Sequence, residues 1–352
     1  MLKLKILVGV LILIIILSIS PLFAEDKSEL IEAATNGDLQ KVEALVSKGA
    51  NVNVKDEDGN TPLIKAINGK YKGICEFLLK NGADVNLVGE YGRTPLMNAA
   101  NTYKMGNVDI ANLLLAKGAN LKAKTRKGWD ALLYAVTANN KDMVKFLLSK
   151  GANVNIKTKN GSTPLMKASY RGEGEIVTLL LSKGVKVNDK DKDGDTALMQ
   201  AAKKNHKEVV LLLLSKGAKV NNKNKYGWTP LMEAADGGHK EICEILIDHK
   251  ANVRAKDKFG RTALMDAANE SYKEVCELLL LKGARINTKT KKGWTALMYA
   301  AYNGKKPDTC KFLIEKGADV NVKSKDGKTA LSLALKRGHK EIADILKEAG
   351  AK

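Results

Sequence analysis

The side chains with the most reactive chemistry in this 352-residue chain are four cysteines, Cys75, Cys243, Cys276 and Cys310. Each follows the Thr of a recurring tripeptide at a fixed distance, fourteen residues, or fifteen where one residue is inserted. Val144, Val177 and Val210 fill the same place in other copies. That shared register puts the cysteines on corresponding helices of neighbouring units, whose axes stand about 8–10 Å apart. A disulfide bridges Cα atoms no more than roughly 7 Å apart. Free, buried thiols acting as small apolar groups are therefore expected.

Three further constellations could carry chemistry. His239 and Cys243 are four residues apart on one helix, the spacing at which two metal ligands can point the same way. His206 and His339 occupy the place of His239 without a cysteine partner, so the position reads as a structural turn histidine and no metal is assigned. The run from Asp189 to Asp195, DKDKDGD, copies the first half of a calcium loop. Its twelfth place is Gln200 where a bidentate Glu is needed, so these residues read as turn formers. For catalysis, GxSxG, P-loop and HExxH motifs are all missing, and Gly172 and Gly174 form a GxG without a third glycine. The reading is a protein without a catalytic centre, cofactor or metal.

What positions these residues is a repeat. TPL begins at Thr61, Thr94, Thr163 and Thr229, TAL at Thr196, Thr262, Thr295 and Thr329, and DAL at Asp130. Successive spacings are 33, 36, 33, 33, 33, 33, 33 and 34 residues. One period before Thr61 stands Ser28, opening a degenerate copy. Such periodicity signals a repeat architecture. Within each copy the Thr suits a helix cap, with Pro, where present, at the first helical position. A second apolar run then ends at a glycine such as Gly151, Gly184 or Gly217, suited to the left-handed residue after a helix.

This pattern resembles the ankyrin repeat, a 33-residue unit with a TPLHxA core, over residues 25–352. The resemblance implies an all-α repeat solenoid, an ankyrin array of about ten helix-turn-helix units joined by β-hairpin loops. The units run 25–57, 58–90, 91–126, 127–159, 160–192, 193–225, 226–258, 259–291, 292–325 and 326–352. One repeat cannot bury its own apolar face, so stacking supplies the core. Three departures stand out. The His after TPL is replaced by Met97, Met166, Met199, Met232, Met265 and Met298 in six units. The third unit carries three extra residues around Thr102 to Gly106, and the ninth carries one near Lys306 and Pro307.

Composition and the amino terminus bound the rest. With 44% hydrophobic residues the chain can build a packed fold, and 59 Lys and Arg against 39 Asp and Glu give a net charge of +20. Lys3 and Lys5, the uncharged run Ile6–Ile16 and then Ser18, Ser20 and Ala24 have the order of a secretory signal, expected over residues 1–24. An uncleaved anchor in the inner membrane is the alternative. Either version exports residues 25–352, to the periplasm or beyond the cell, and argues against nucleic acid as a partner. Basic loop tips from Lys122, Lys124, Arg126 and Lys127 to Lys289, Lys291 and Lys292 could face an anionic envelope component.

Constant repeat positions build the stack, so the variable ones are free to contact a partner. Immediately before the Thr, every tryptophan of the chain appears: Trp129, Trp228 and Trp294, with Arg261 between the last two. By the resemblance this position lines the concave face. Tyr226, Phe259, Tyr299 and Tyr302 cluster in the same units, a composition typical of interface hot spots. The sequence is thus read as an exported, monomeric scaffold holding a partner protein at these residues. The alternatives are an anchored envelope adaptor using the basic tips and a secreted effector acting on another cell's proteins.

Overall fold

The computed structural model describes residues 28–102 and 107–352. The expected signal segment, residues 1–24, and residues 103–106 of the third unit's insertion region lie outside the described residues. Two compact blocks, residues 1–159 and 160–352, divide the chain. In the first block, residues 28–36 and Leu39–Ser47 form a helical pair, followed by Pro62–Asn68 with Lys72–Lys80, Pro95–Ala100 with Val108–Ala116, and Ala131–Thr137 with Lys141–Ser149. The second block contains six pairs, from Pro164–Arg171 with Gly174–Ser182 to Ala330–Arg337 with Lys340–Glu348. Within each block, first helices pack on first helices and second helices on second helices of the adjoining repeats. This is the helical solenoid arrangement.

The recurring tripeptide works as its chemistry predicts. Oγ1 of Thr94, Thr163, Thr196, Thr229 and Thr295 accepts the N–H of the methionine three residues on, at 3.2–3.4 Å. Each bond satisfies one of the N–H groups that a helix start leaves without a partner. Thr262 makes no such side-chain bond. The methionines lie in the core, at most 2% exposed, where the flexible thioether fills space between layers. Paired alanines such as Ala201 and Ala202 are fully buried and let neighbouring first helices approach closely. At the ends of the second helices, Gly217 has φ +82° with open space around it. In the next repeat Lys250 adopts the same left-handed turn at φ +70°.

The loops between repeats correct one expectation. Among the described residues they carry no strand. The tip at Tyr226 is a tight turn closed by two main-chain bonds, Asn224 N–H to Trp228 O at 3.0 Å and Gly227 N–H to Asn224 O at 2.9 Å. The very next residue is the helix cap Thr229, so the chain leaves no room for a second rung. Successive tips are instead stitched to each other, Lys258 N–H donating to Tyr226 O and Lys291 N–H to Phe259 O, at 2.9 and 2.8 Å. Gly227 makes this approach feasible. Its φ is +85°, and a Cβ there would stand 2.8 Å from Lys258 N.

Asp130 replaces the capping Thr in one repeat and accepts the Leu133 N–H at 2.9 Å. Burial, partly offset by that bond, pushes its carboxyl up to about 6. A raised carboxyl keeps its proton in the folded chain after the unfolded chain has lost it. Stability therefore falls as pH rises from about 4 through 6. Asp130→Thr should remove that decline and raise unfolding free energy at pH 8 by about 1 kcal/mol, with little gain at pH 4. Denaturant titrations at the two pH values check it; an equal gain at both would reject the buried-charge explanation.

Candidate protein-binding face

In the second block, the residue before each capping Thr is held by the loop residue four places earlier. Trp228 N–H donates to Asn224 Oδ1 at 3.0 Å, Arg261 N–H to Asp257 Oδ1 at 2.8 Å and Trp294 N–H to Thr290 Oγ1 at 3.0 Å. Short polar side chains that bond the backbone at a turn thus set where the large variable side chains start. All three remain half-buried, with part of each side chain open to solvent.

Two clusters result. The Arg261 guanidinium carbon lies 5.1 Å from the Trp228 ring, within cation–π range. Its Nε donates to Asp257 Oδ2 at 3.0 Å, and its Nη1 lies 3.6 Å from Asp266 Oδ1. Trp294 meets Tyr299 at 5.0 Å and Tyr302 at 5.4 Å, both in the tilted or edge geometry that ring quadrupoles favour. Arg337 sits 4.2 Å from the Tyr302 ring. Tyr226 and Phe259 are placed differently, on the loop tips, 48% and 60% exposed. Trp129 lies in the first block, 5.2 Å from Tyr134.

Acids not singled out from the sequence as a group share the second block's face: Glu233, Asp236, Asp266 and Glu270. Glu233 bridges to Lys203 at 3.4 Å, and Glu270 pairs with Lys305. Burial raises the carboxyls of Glu233 and Asp236, and Glu270 raises Asp236 further. Asp266 is only 3% exposed, and its Oδ2 has no hydrogen-bond partner. Burial pushes this carboxyl up to about 8, with Asp236, Asp257 and Glu233 adding to the rise and Arg261 opposing it. The available signal was the repeat of acids at one register, Glu233 and Asp266, four residues after consecutive capping threonines.

The residues weighed for other chemistry are occupied structurally. The ring Nε2 atoms of His206, His239 and His339 lie 3.0–3.2 Å from the carbonyl oxygens of Tyr170, Lys203 and Tyr302, one repeat earlier. Cys75, Cys243, Cys276 and Cys310 are free and fully buried, and burial pushes each thiol up to about 12. Nucleophilic thiolate is thereby suppressed. Asp191 Oδ1 accepts the N–H groups of Asp193 and Asp195, both at 2.9 Å, Asp193 pairs with Lys225, and Asp195 Oδ1 accepts from Asn224 Nδ2. That segment is a turn with its carboxylates engaged. Part of the basic series is engaged as well, Lys223 Nζ donating to Lys256 O at 2.7 Å and Arg254 Nε to Gly283 O at 2.9 Å.

A family model of ankyrin repeats, three copies long, matches residues 30–125, 91–158, 105–191, 132–224, 198–290 and 264–352. With those matches running through both helical blocks, the chain belongs to the ankyrin-repeat family. A search of curated proteins found no match to it. Ankyrin repeats are protein-interaction scaffolds, typically without enzymatic activity, and that is the class of this protein.

Proposed function

We propose that the chain is an exported scaffold that holds a segment of a partner protein on the concave face of its second block. The observation that carries this reading is the row Trp228, Arg261 and Trp294, with Tyr299 and Tyr302 behind it, half-buried and fixed by local bonds before any partner arrives. Rigid aromatic and Arg side chains lose little entropy on binding, which is why they dominate interface energetics. Tyr226 and Phe259 stand at the rim. Trp129 plays the matching part in the first block. The order of Lys3, Lys5, apolar run and Ala24 supports export.

Crosslinking the tagged full-length protein in intact cells tests both halves. A specific protein should be recovered with the wild type and lost with Trp228→Ala and Trp294→Ala, and the amino terminus of the exported chain should lie near Glu25. Intact Met1 on protein in the soluble cytoplasm would sink the export reading. Equal recovery by the Trp variants would sink the binding reading.

A further inference from the structure

The first block has a cleft of its own, about 890 Å³, that passes over three consecutive loops and is walled by Lys55, Tyr91, Arg93, Lys127, Trp129 and Tyr134. Arg93 is its centre. Its guanidinium carbon lies 5.2 Å from the Tyr91 ring and 5.2 Å from the Tyr134 ring, and its Nε is buried without a hydrogen-bond partner. Among the described residues no carboxylate pairs with it. Asp56, an acid of the preceding loop, is turned to Lys65 at 2.7 Å.

The repeat supplies an internal control. Arg93 and Arg261 hold the same position, directly before the capping Thr. Arg261 is neutralised by Asp257, four residues earlier, and has Asp266, five residues later, 3.6 Å from its Nη1. At the corresponding places around Arg93 stand Gly89 and Asn98. A side chain at Gly89 would have to displace Asn60 Oδ1 and Ile64 Cδ1, each 2.6 Å from where its Cβ would stand. Asn98 is buried and donates its Nδ2 to Thr94 O at 3.1 Å. The fold therefore holds one guanidinium between two tyrosine rings, without the carboxylate that satisfies its counterpart, in an open cleft with two further cations, Lys55 and Lys127, on its wall.

We infer that this cleft seats an acidic side chain of a bound protein segment, its carboxylate on Arg93 and within reach of the Trp129 indole as a reporter. The inference rests on the protein-binding reading above and names the chemistry of one contact. A planar guanidinium accepts a carboxylate through paired N–H donors, and the rings that fix its plane cut the ordering cost.

The probe is the capped peptide acetyl-Gly-Glu-Phe-Gly-amide, added to the full chain and followed by the NMR signal of the Trp129 indole N–H, assigned with Trp129→Phe. The signal should move saturably with this peptide, with at least about tenfold weaker binding when its Glu is replaced by Gln. Arg93→Gln should cause a similar loss. Arg93→Lys should weaken binding several-fold, because the ammonium keeps the charge and loses the paired planar donors. Unchanged circular dichroism keeps both variants interpretable. Equal binding of the Gln peptide, undiminished binding by Arg93→Gln, or binding of free N-acetylglutamate as strong as that of the peptide would overturn the inference. Trp228→Ala with Trp294→Ala separates the two readings: this double variant should leave the peptide response intact. Loss of the peptide response alone rejects the cleft, whereas partner capture unaffected by the double variant rejects the second block's face.

Discussion

Trp228→Ala and Trp294→Ala should each weaken binding of the crosslinked partner by about 2 kcal/mol or more, roughly thirtyfold in Kd, with the helical spectrum unchanged. Both side chains are half-buried rather than core, and the backbone bonds that hold them, to Asn224 Oδ1 and Thr290 Oγ1, survive truncation. Removing Trp228 also strips the ring that lies against Arg261, leaving that cation to Asp257. The two sites differ in kind. Trp294 stands on Tyr299 and Tyr302, so its loss exposes two further rings, and its cost should exceed that of Trp228. Lys291→Gln with Lys292→Gln should act otherwise, slowing association at low salt and little at high salt, because exposed charges steer encounter and are screened. Surface plasmon resonance at two ionic strengths resolves both effects. Trp variants that bind like wild type while the Lys variants abolish binding would hand the function to the basic loop tips.

Stability should decline as pH rises from about 4 to about 8, and Asp266 should account for much of the loss. Its carboxyl is pushed up to about 8 from an ordinary 3.8, chiefly by burial. In that window the folded chain retains a proton that the unfolded chain has released, so raising pH favours unfolding, and the effect levels off above about 8. Asp266→Asn keeps the neutral shape and removes the titration. It should stabilise the chain by roughly 2 kcal/mol at pH 8.5 and leave it nearly unchanged at pH 4, an amount well below the full shift because the site relaxes and Arg261 opposes the rise. Urea titrations of both proteins at the two pH values measure it. A variant less stable than wild type at pH 8.5 would mean that the ionised carboxylate and Arg261 form a net stabilising pair.

Much of this protein is legible locally. The period, the capping Thr, the Pro at the helix start and the glycine turns act over a few residues, so composition and spacing suffice to read them; Thr229 Oγ1 meets the Met232 N–H three residues on, as a cap must. The buried cysteines were legible for a related reason, since one register on one helix faces one environment. The loops were less so: hairpin spacing was evident, but whether a ladder forms depends on room, and a cap residue immediately after the turn removes it.

Tertiary structure alone decided the contacts between residues one repeat apart. Spacing puts Trp228, Arg261 and Trp294 in one row, but only packing sets the cation on Trp228 and turns Trp294 to its own tyrosines while Tyr226 and Phe259 stay on the tips. Likewise Arg93 and Arg261 are indistinguishable by register. One is paired and the other is not, because a carboxylate must lie within a few ångströms to neutralise a guanidinium. That distance depends on the side chains at Gly89, Asn98, Asp257 and Asp266 and on the space each is allowed. Sequence by itself determined the repeat and which positions are free to vary; the fold decided which of those positions are spent on each other and which remain for a partner, because that depends on distances across the stack rather than along the chain.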